Sequence, residues 1–142
     1  RDDTDIERRV NNTLLKGLRN DIEIYRCRDL IDKTPHYQAY LAQVNAIKSR
    51  YEDLLLVGTY RDTEGFTQSN PGIEARAYVN GDGMAIVATR TQEGKAVKGA
   101  IEVPGYRFAE ASTLGNAQVS SDGREVTLGQ YDLAVLVYKK TK

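Results

Sequence analysis

The stretch Tyr51–Phe66, YEDLLLVGTYRDTEGF, divides the chain into two halves with different sequence patterns. It begins with the apolar end of a helical pattern, passes Gly58, and continues with polar residues as far as Phe66. Before it, apolar residues recur at three- and four-residue steps, as in helices; after it, they alternate in short runs, as in strands. The stretch therefore predicts a helix-rich segment followed by a β-rich one.

Two helices are predicted in the first half. One runs from about Asp5 to about Lys16, because Thr4–Glu7 fits a capping box and apolar residues follow at four-residue steps. The other spans Pro35 to about Val57, because a threonine followed by proline is a strong helix start. Gly17 and Gly58 are the candidate stops. The recurring apolar residues are Ile6, Val10, Leu14, Leu18, Tyr37, Tyr40, Leu41, Val44, Ile47, Tyr51, Leu54 and Leu55.

The segment between these helices allows more than one interpretation. Asn20–Arg26 alternates over too short a window to separate a short strand from the start of a helix. Glu23 and Arg26 are either solvated surface charges or groups at the mouth of a barrel, at the end of its last strand. Cys27 is the only cysteine, which excludes an internal disulfide and a zinc site built from several cysteines.

The second half predicts short antiparallel strands joined by turns. A composition shift at Gln68–Gly72 places the boundary between Gly65 and Gly72. Roughly seven short strands separated by turn signals predict an antiparallel sandwich or barrel, and the last, LAVLVY, is predicted to be central and buried. The predicted strands are Ile73–Val79, Met84–Thr91, Ala96–Val103, Tyr106–Ala111, Ala117–Ser120, Arg124–Leu128 and Leu133–Tyr138.

The fold class is therefore α+β. A helical segment at 1–66, with two main helices and in one interpretation a short strand, precedes an antiparallel β-sandwich at 67–142. Residues 59–70 are interpreted as a linker or crossing between them.

Composition argues against several classes of function. The 142 residues carry a formal net charge of zero, spread along the chain, without the basic face typical of proteins that bind nucleic acids or membrane surfaces. No apolar run is long enough to span a bilayer. The glycine-rich turns are not followed by the lysine and hydroxyl residue of a phosphate loop. We therefore expect no nucleic acid, membrane, metal or cofactor as a partner. Because the chain opens on Arg1-Asp2-Asp3, we expect a mature or excised piece of a longer protein.

Four stretches together resemble the C-terminal end of α-galactosidase-like glycoside hydrolases and related bacterial proteins. They are NDIEIYRCR at 20–28, KSRYEDLLLVGTYRDTEGF at 48–66, VPGYRF at 103–108 and TLGQYDLAVLVYKK at 127–140. In that family a (β/α)8 barrel is followed by an antiparallel β-sandwich. The resemblance implies that Asp5–Lys16 and Pro35–Val57 are the last two barrel helices and Asp21–Tyr25 the last barrel strand.

The resemblance also implies a function for the parent protein. The parent would be a glycoside hydrolase, periplasmic or secreted, and the sandwich would brace its catalytic barrel, the expected partner of this chain. Such enzymes use two carboxylates that flank the scissile bond. In the family these come from earlier barrel strands, so no catalytic residue is carried over and the chain alone is not expected to be catalytic.

The resemblance has a packing consequence. Without the rest of the barrel, the apolar helix faces must pack on each other, on the sandwich or on another copy, since an exposed stripe of this size favours association. We therefore expect either a homo-oligomer through the helical half or a compact helical pack under the sheet. The faces carry Val10, Leu14, Leu18, Val44, Ile47 and Tyr51.

Two alternative functions remain at this point. A carbohydrate-binding module would need exposed aromatic rings, and the β half contains Tyr78, Tyr106, Phe108 and Tyr131. Tyr78, Tyr106 and Phe108 are the candidates, but core packing is the default interpretation for them and the chain has no tryptophan. A structural or interaction protein would associate through its helical half.

Overall fold

The predicted α+β architecture is confirmed in a computed structural model, which describes residues 5–17, 35–90 and 92–141. The helices are α1 (Asp5–Leu15), α2 (Pro35–Arg50) and α3 (Glu52–Leu55). None of these helices is both long and apolar enough to cross a membrane. The strands are β1 (Thr59–Asp62), β2 (Thr67–Gln68), β3 (Glu74–Asn80), β4 (Gly83–Thr89), β5 (Val97–Glu102), β6 (Tyr106–Leu114), β7 (Gln118–Val119), β8 (Glu125–Leu128) and β9 (Leu133–Lys140).

The strands form two antiparallel sheets. The central sheet has the order β1-β3-β4-β9-β6, and the outer sheet has the order β2-β5-β8-β7. β3 and β4 form a hairpin with Asn80 opposite Gly83, and β7 and β8 form another with Val119 opposite Val126. The turn after β4 instead carries the chain from the central sheet to the outer sheet.

The middle of the central sheet, at β4 and β9, is buried on both faces, which explains the apolar sequence of β9. Leu133, Val135 and Val137 pack against the helices, and the alternate residues pack against the outer sheet. An antiparallel strand with one solvated face would alternate with polar residues, but a strand between two layers does not. The prediction that this strand is central and buried is confirmed, since β9 lies between β4 and β6 and Leu133–Tyr138 is buried throughout.

The helices form the third layer, on the face of the central sheet opposite the outer sheet. Their apolar side chains share one core with Tyr78, Ala85 and Val87 of the sheet. The apolar helix faces, which were predicted to pack on each other, on the sandwich or on another copy, therefore pack under the central sheet. Leu18 lies outside the described residues. The residues of these faces that are buried in this layer are Val10, Leu14, Val44, Ile47 and Tyr51.

The second helix is shorter than predicted. The chain leaves helical geometry at Tyr51, whose φ and ψ are −114° and 38°, and α3 follows as a separate turn with Leu54 and Leu55 buried. At Gly58 a Cβ atom would overlap the Leu54 carbonyl oxygen, so only glycine lets the chain pass this close to the end of α3. The stop predicted at Gly58 therefore has a steric cause.

The stretch interpreted as a crossing contributes two strands. β1 pairs with β3 at the edge of the central sheet, with Thr59 opposite Val79, and all four of its residues are exposed. β2 pairs with β5 in the outer sheet. A short exposed edge strand has no apolar alternation, so its sequence resembles a linker. The predicted boundary between a helical segment at 1–66 and a sandwich at 67–142 stays a prediction. The segment Asn20–Arg26, interpreted as a short strand or the start of a helix, lies outside the described residues.

Candidate functional site

A buried asparagine joins both helices to the central sheet. Asn11 of α1 has no exposed surface, and its Nδ2 donates to the Tyr131 carbonyl at 3.0 Å and to Thr89 Oγ1 at 3.3 Å. The Tyr40 hydroxyl of α2 donates to Asn11 Oδ1. Because a buried amide is costly unless it is hydrogen-bonded, these contacts fix the position of α1 and α2 over the sheet. We refer to Asn11, Tyr40, Thr89 and the Tyr131 carbonyl as the Asn11 network.

The loop Gly129–Asp132, between β8 and β9, is held by a buried carboxylate. Asp132 accepts hydrogen bonds from the backbone N–H groups of Gly129, at 2.7 Å, and Asn116, at 3.0 Å. Gly115 has a φ of +72°, and a Cβ there would overlap Asp132 Oδ1. Asp132 therefore locks this loop to the loop between β6 and β7.

Tyr131 has an unusual backbone conformation for a residue with a side chain. Its φ is +62°, in the left-handed region that costs a non-glycine residue roughly 1–2 kcal/mol. The Tyr131 N–H donates to the Arg90 carbonyl at 2.8 Å, and Thr89 Oγ1 donates to the Asp132 carbonyl at 2.8 Å. Together with the bond from Asn11, these contacts hold the strained residue in place.

A cavity of about 230 Å³ opens between the helices and this loop. Burial raises the pKa of the Tyr40 phenol; the hydrogen bond with Asn11 lowers it, and the negative charges of Glu7 and Asp132 add to the rise. The described residues that line the cavity are polar apart from two small ones, and none of them is cationic. They are Glu7, Ala39, Tyr40, Gln43, Gly115, Gln130, Tyr131 and Asp132.

Tyr78, a candidate stacking residue, lies in the core. Only 3% of it is exposed, its hydroxyl donates to the Leu14 carbonyl, and its ring packs edge-on against Tyr60 with a centroid distance of 5.4 Å. Burial raises its pKa to about 12. This geometry offers no ring face to a carbohydrate, so the role of Tyr78 is to anchor α1 on the sheet.

Tyr106 and Phe108 are half-buried at the start of β6. Both pack against the core between the sheets, and Phe108 contacts Tyr138 with a centroid distance of 5.6 Å. Gly123 fits beneath the Phe108 ring, where a Cβ would overlap it. Their packing role is therefore established, and a role in binding carbohydrate stays a prediction. Glu23 and Arg26, the candidate barrel-mouth residues, lie outside the described residues.

A second cavity, of about 210 Å³, lies at the edge of the sandwich near Phe66. Its polar groups are already used for structure: Arg76 Nε donates to Asp62 Oδ1 at 2.8 Å, and the Gln68 amide donates to the carbonyls of Asn70 and Ile73. The polar groups of this cavity therefore stabilise the edge of the sandwich, and we assign the cavity no binding or catalytic role.

The remaining surfaces of the described residues offer little for chemistry. The solvent face of the outer sheet presents Lys98, Ala100, Glu102 and Glu125, with no aromatic ring among its strands. Within the described ranges, no group of three or more histidine, cysteine, aspartate or glutamate side chains could hold a metal ion. The cavity beside the Asn11 network is thus the best candidate site.

Sequence reasoning did not identify this site. Tyr40 was assigned to the apolar pattern of the second helix, and Asp132 was not singled out at all. One signal was present: Asn11 precedes Leu14 and Leu15 on α1 by three and four residues, which places a polar residue on the buried face. Pairing it with Tyr131, 120 residues away, required the fold.

No protein-family model matches the chain, and no curated protein matches it. One solved structure to which it is similar is a glycoside hydrolase family 30 subfamily 8 xylanase, Xyn30A, from Clostridium acetobutylicum. That match has 14% identity and a TM-score of 0.37, and it covers 55% of this chain and 24% of the xylanase. The similarity is to a glycoside hydrolase other than the α-galactosidase-like enzymes.

Proposed function

We propose that this chain is the non-catalytic C-terminal portion of a glycoside hydrolase, in which the sandwich braces a catalytic barrel that precedes it. The proposal starts from the sequence resemblance to α-galactosidase-like hydrolases. The observation that carries it is the continuous core between α1, α2 and the central sheet. A brace must be joined stiffly to the part it supports, and this core provides such a join.

The contacts at the helix layer support a stiff connection. Leu14, Leu15 and Val44 are fully or almost fully buried against the sheet. At the far end of α2, the Tyr51 and Ser112 hydroxyls share a hydrogen bond of 2.7 Å. Because protein cores are close-packed, displacement of the helices would open cavities, and each lost contact would cost free energy. Helices that belong to a barrel would transmit this rigidity to it.

The test compares this chain with its full-length parent. We expect the parent to hydrolyse aryl glycosides and this chain alone to release no product. Leu14→Ala in the parent should lower the temperature of half-inactivation, because the variant leaves a cavity at the join worth about 2–5 kcal/mol. At permissive temperature, kcat/KM should stay within about twofold, since the residue is remote from the chemistry. Gln118→Ala, at an exposed position of β7, is the control.

Three results would overturn the proposal. The first is hydrolysis by this chain alone at the rate of the parent. The second is a parent that shows no hydrolysis at all. The third is an inactivation temperature that Leu14→Ala leaves unchanged in the parent while it destabilises the isolated chain.

A second candidate function is association through the helical half. Leu56 and Val57 follow α3 and are 57% and 69% exposed, which is unusual for adjacent aliphatic residues. Sedimentation equilibrium should then show a dimer that Leu56→Ser combined with Val57→Ser converts to a monomer. A wild-type chain that is monomeric at high micromolar concentration would remove this candidate.

A further inference from the structure

The turn that joins β3 to β4 contains an asparagine followed directly by glycine, Asn80-Gly81, and no other asparagine of the sequence precedes a glycine. Both residues are exposed, and Asn80 stands opposite Gly83 as the last pair of the hairpin. We propose that Asn80 is a site of spontaneous deamidation, at which the side-chain amide becomes a carboxylate. A brace neither uses nor needs this reaction, so the inference goes beyond the proposed function.

The backbone nitrogen that must attack the amide is accessible. Gly81 has a φ of +56°, and nothing lies within 4 Å of the position that a Cβ would occupy there. Its N–H donates to none of the described residues. Asn45, in α2, is different, because the N–H groups inside a helix are bonded to carbonyls one turn earlier. Intramolecular attack requires a free nucleophile at close range, and the β3–β4 turn provides one.

The reaction is complete with water as the only co-reactant. The Gly81 nitrogen bonds to Asn80 Cγ, the bond from Cγ to Nδ2 breaks, and the proton from the Gly81 N–H leaves with Nδ2 as ammonia. The product is a cyclic imide. Water then opens one of the two C–N bonds of this imide. Opening at Cγ gives aspartate, and opening at the backbone carbonyl carbon gives isoaspartate.

A hydrogen bond to α3 controls the access of the nitrogen to the amide. Asn80 Nδ2 donates to the backbone carbonyl of Asp53 at 2.7 Å, which holds the amide towards α3. Leu54 covers the same turn, since a Cβ at Gly83 would lie 3.2 Å from Leu54 Cδ2. Attack requires this anchor to open. Because the turn and Asp53 lie at the surface, the opening is local and does not require global unfolding.

The modification would reverse the contact between the turn and α3. An aspartate at position 80 has no N–H to donate, so an ionised oxygen would face the Asp53 carbonyl oxygen. Isoaspartate would also insert the side-chain methylene into the backbone of a two-residue turn. Either product removes the bond that holds α3 to β3, and α3 leads directly into β1. We therefore expect the modified chain to be less stable.

The experiment follows the full 142-residue chain during incubation at pH 8 and 37 °C, with circular dichroism to show that it stays folded. Digestion at acid pH and mass spectrometry then identify each asparagine that has become an acid. We expect Asn80 to convert to a mixture of aspartate and isoaspartate at least about tenfold faster than the exposed Asn45, whose neighbouring N–H is held in the helix.

Variants separate the local opening from global unfolding. Leu54→Ala, which uncovers the turn, should raise the rate at Asn80 about fivefold, the equivalent of one lost hydrogen bond. Leu136→Ala removes a core side chain on the other face of the sheet and is the matched control, with a rate within about twofold of wild type. Asn80→Asp should lower the melting temperature by about 3–6 °C, while Asn45→Asp leaves it within about 1 °C.

Three results would overturn the inference. One is an intact Asn80 in the folded chain after the same chain in urea has converted. Another is an equal rise in rate for Leu54→Ala and Leu136→Ala, which would assign the reaction to unfolded molecules. The last is an Asn80→Asp variant as stable as wild type, which would remove the structural consequence. None of these readouts depends on a barrel or on hydrolysis, so failure of the bracing proposal is recognised separately.

Discussion

Removal of the Asn11 side chain should destabilise the protein more than its size suggests. Asn11→Ala deletes the hydrogen bonds to Thr89, to the Tyr131 carbonyl and from the Tyr40 hydroxyl. Thr89 keeps its bond to the Asp132 carbonyl, so the part-buried Tyr131 carbonyl and the buried Tyr40 hydroxyl are the two groups that lose their hydrogen bond to Asn11. Each such group costs about 1–3 kcal/mol, which gives an expected loss of about 3 kcal/mol in the free energy of unfolding.

A double-mutant cycle separates the network from simple loss of packing. Tyr40→Phe removes only the hydroxyl and should cost about 1–2 kcal/mol, because it leaves Asn11 Oδ1 without its donor. Once Asn11 is alanine, the same change should cost almost nothing. We therefore expect a coupling free energy of at least about 1 kcal/mol between the two residues.

The assay is urea unfolding at pH 7 and 25 °C, followed by circular dichroism, with the m-value required to stay constant. Asn45→Ala, at an exposed position of α2, is the control and should change the free energy by less than about 0.5 kcal/mol. The reasoning is refuted if Asn11→Ala costs less than about 1 kcal/mol, or if the two substitutions are additive within about 0.3 kcal/mol.

Three further predictions follow from the packing and the pKa values. Leu136→Ala should lower the free energy of unfolding by about 2–5 kcal/mol, because this fully buried residue faces the outer sheet. Urea unfolding measures the loss, with Ala100→Ser, at an exposed position of β5, as the control variant. Gly58→Ala should cost about 1–3 kcal/mol by overlap with the Leu54 carbonyl, and an unchanged melting temperature would contradict this. Burial raises the pKa of Tyr78 to about 12 in the folded chain, above the ordinary value of 10.0 for a tyrosine. Its contribution to stability is therefore full below pH 10 and falls as the pH rises towards 12. Tyr78→Phe should flatten this alkaline loss in unfolding experiments between about pH 9 and pH 12, and an unchanged slope would argue against the assignment.

The strands and their turns could be predicted from sequence because their signals are local. The turn Asn80–Gly83 joins β3 to β4 as predicted, and the apolar run at Leu133–Tyr138 marks a buried strand. β1 was missed because an exposed edge strand buries no side chain, and burial is what produces alternation. The break at Tyr51 was missed because Leu54 and Leu55 continue the helical spacing beyond it.

The candidate site could not be predicted because its parts are distant in sequence. Gln43 and Gln130 are ordinary surface residues until the fold places them beside one cavity. A left-handed conformation at Tyr131 has no sequence signal, because left-handed positions normally select glycine or asparagine. Only Asn11, a polar residue on an apolar helix face, could have drawn attention in advance.

The layered burial has a consequence for how the two halves depend on each other. Tyr78, Val87 and Val135 of the central sheet are covered by the helices. A chain shortened to the predicted sandwich, 67–142, would lose both the helices and β1. Without the helices these side chains would form one exposed apolar face, and without β1 the edge of the sheet at β3 would be open. Exposed faces and open edges of this kind favour association. We therefore expect the sandwich to need its helices in order to stay monomeric. In the proposed parent those helices belong to the barrel, so the dependence runs in both directions: the sandwich braces the barrel, and the last barrel helices complete the core of the sandwich.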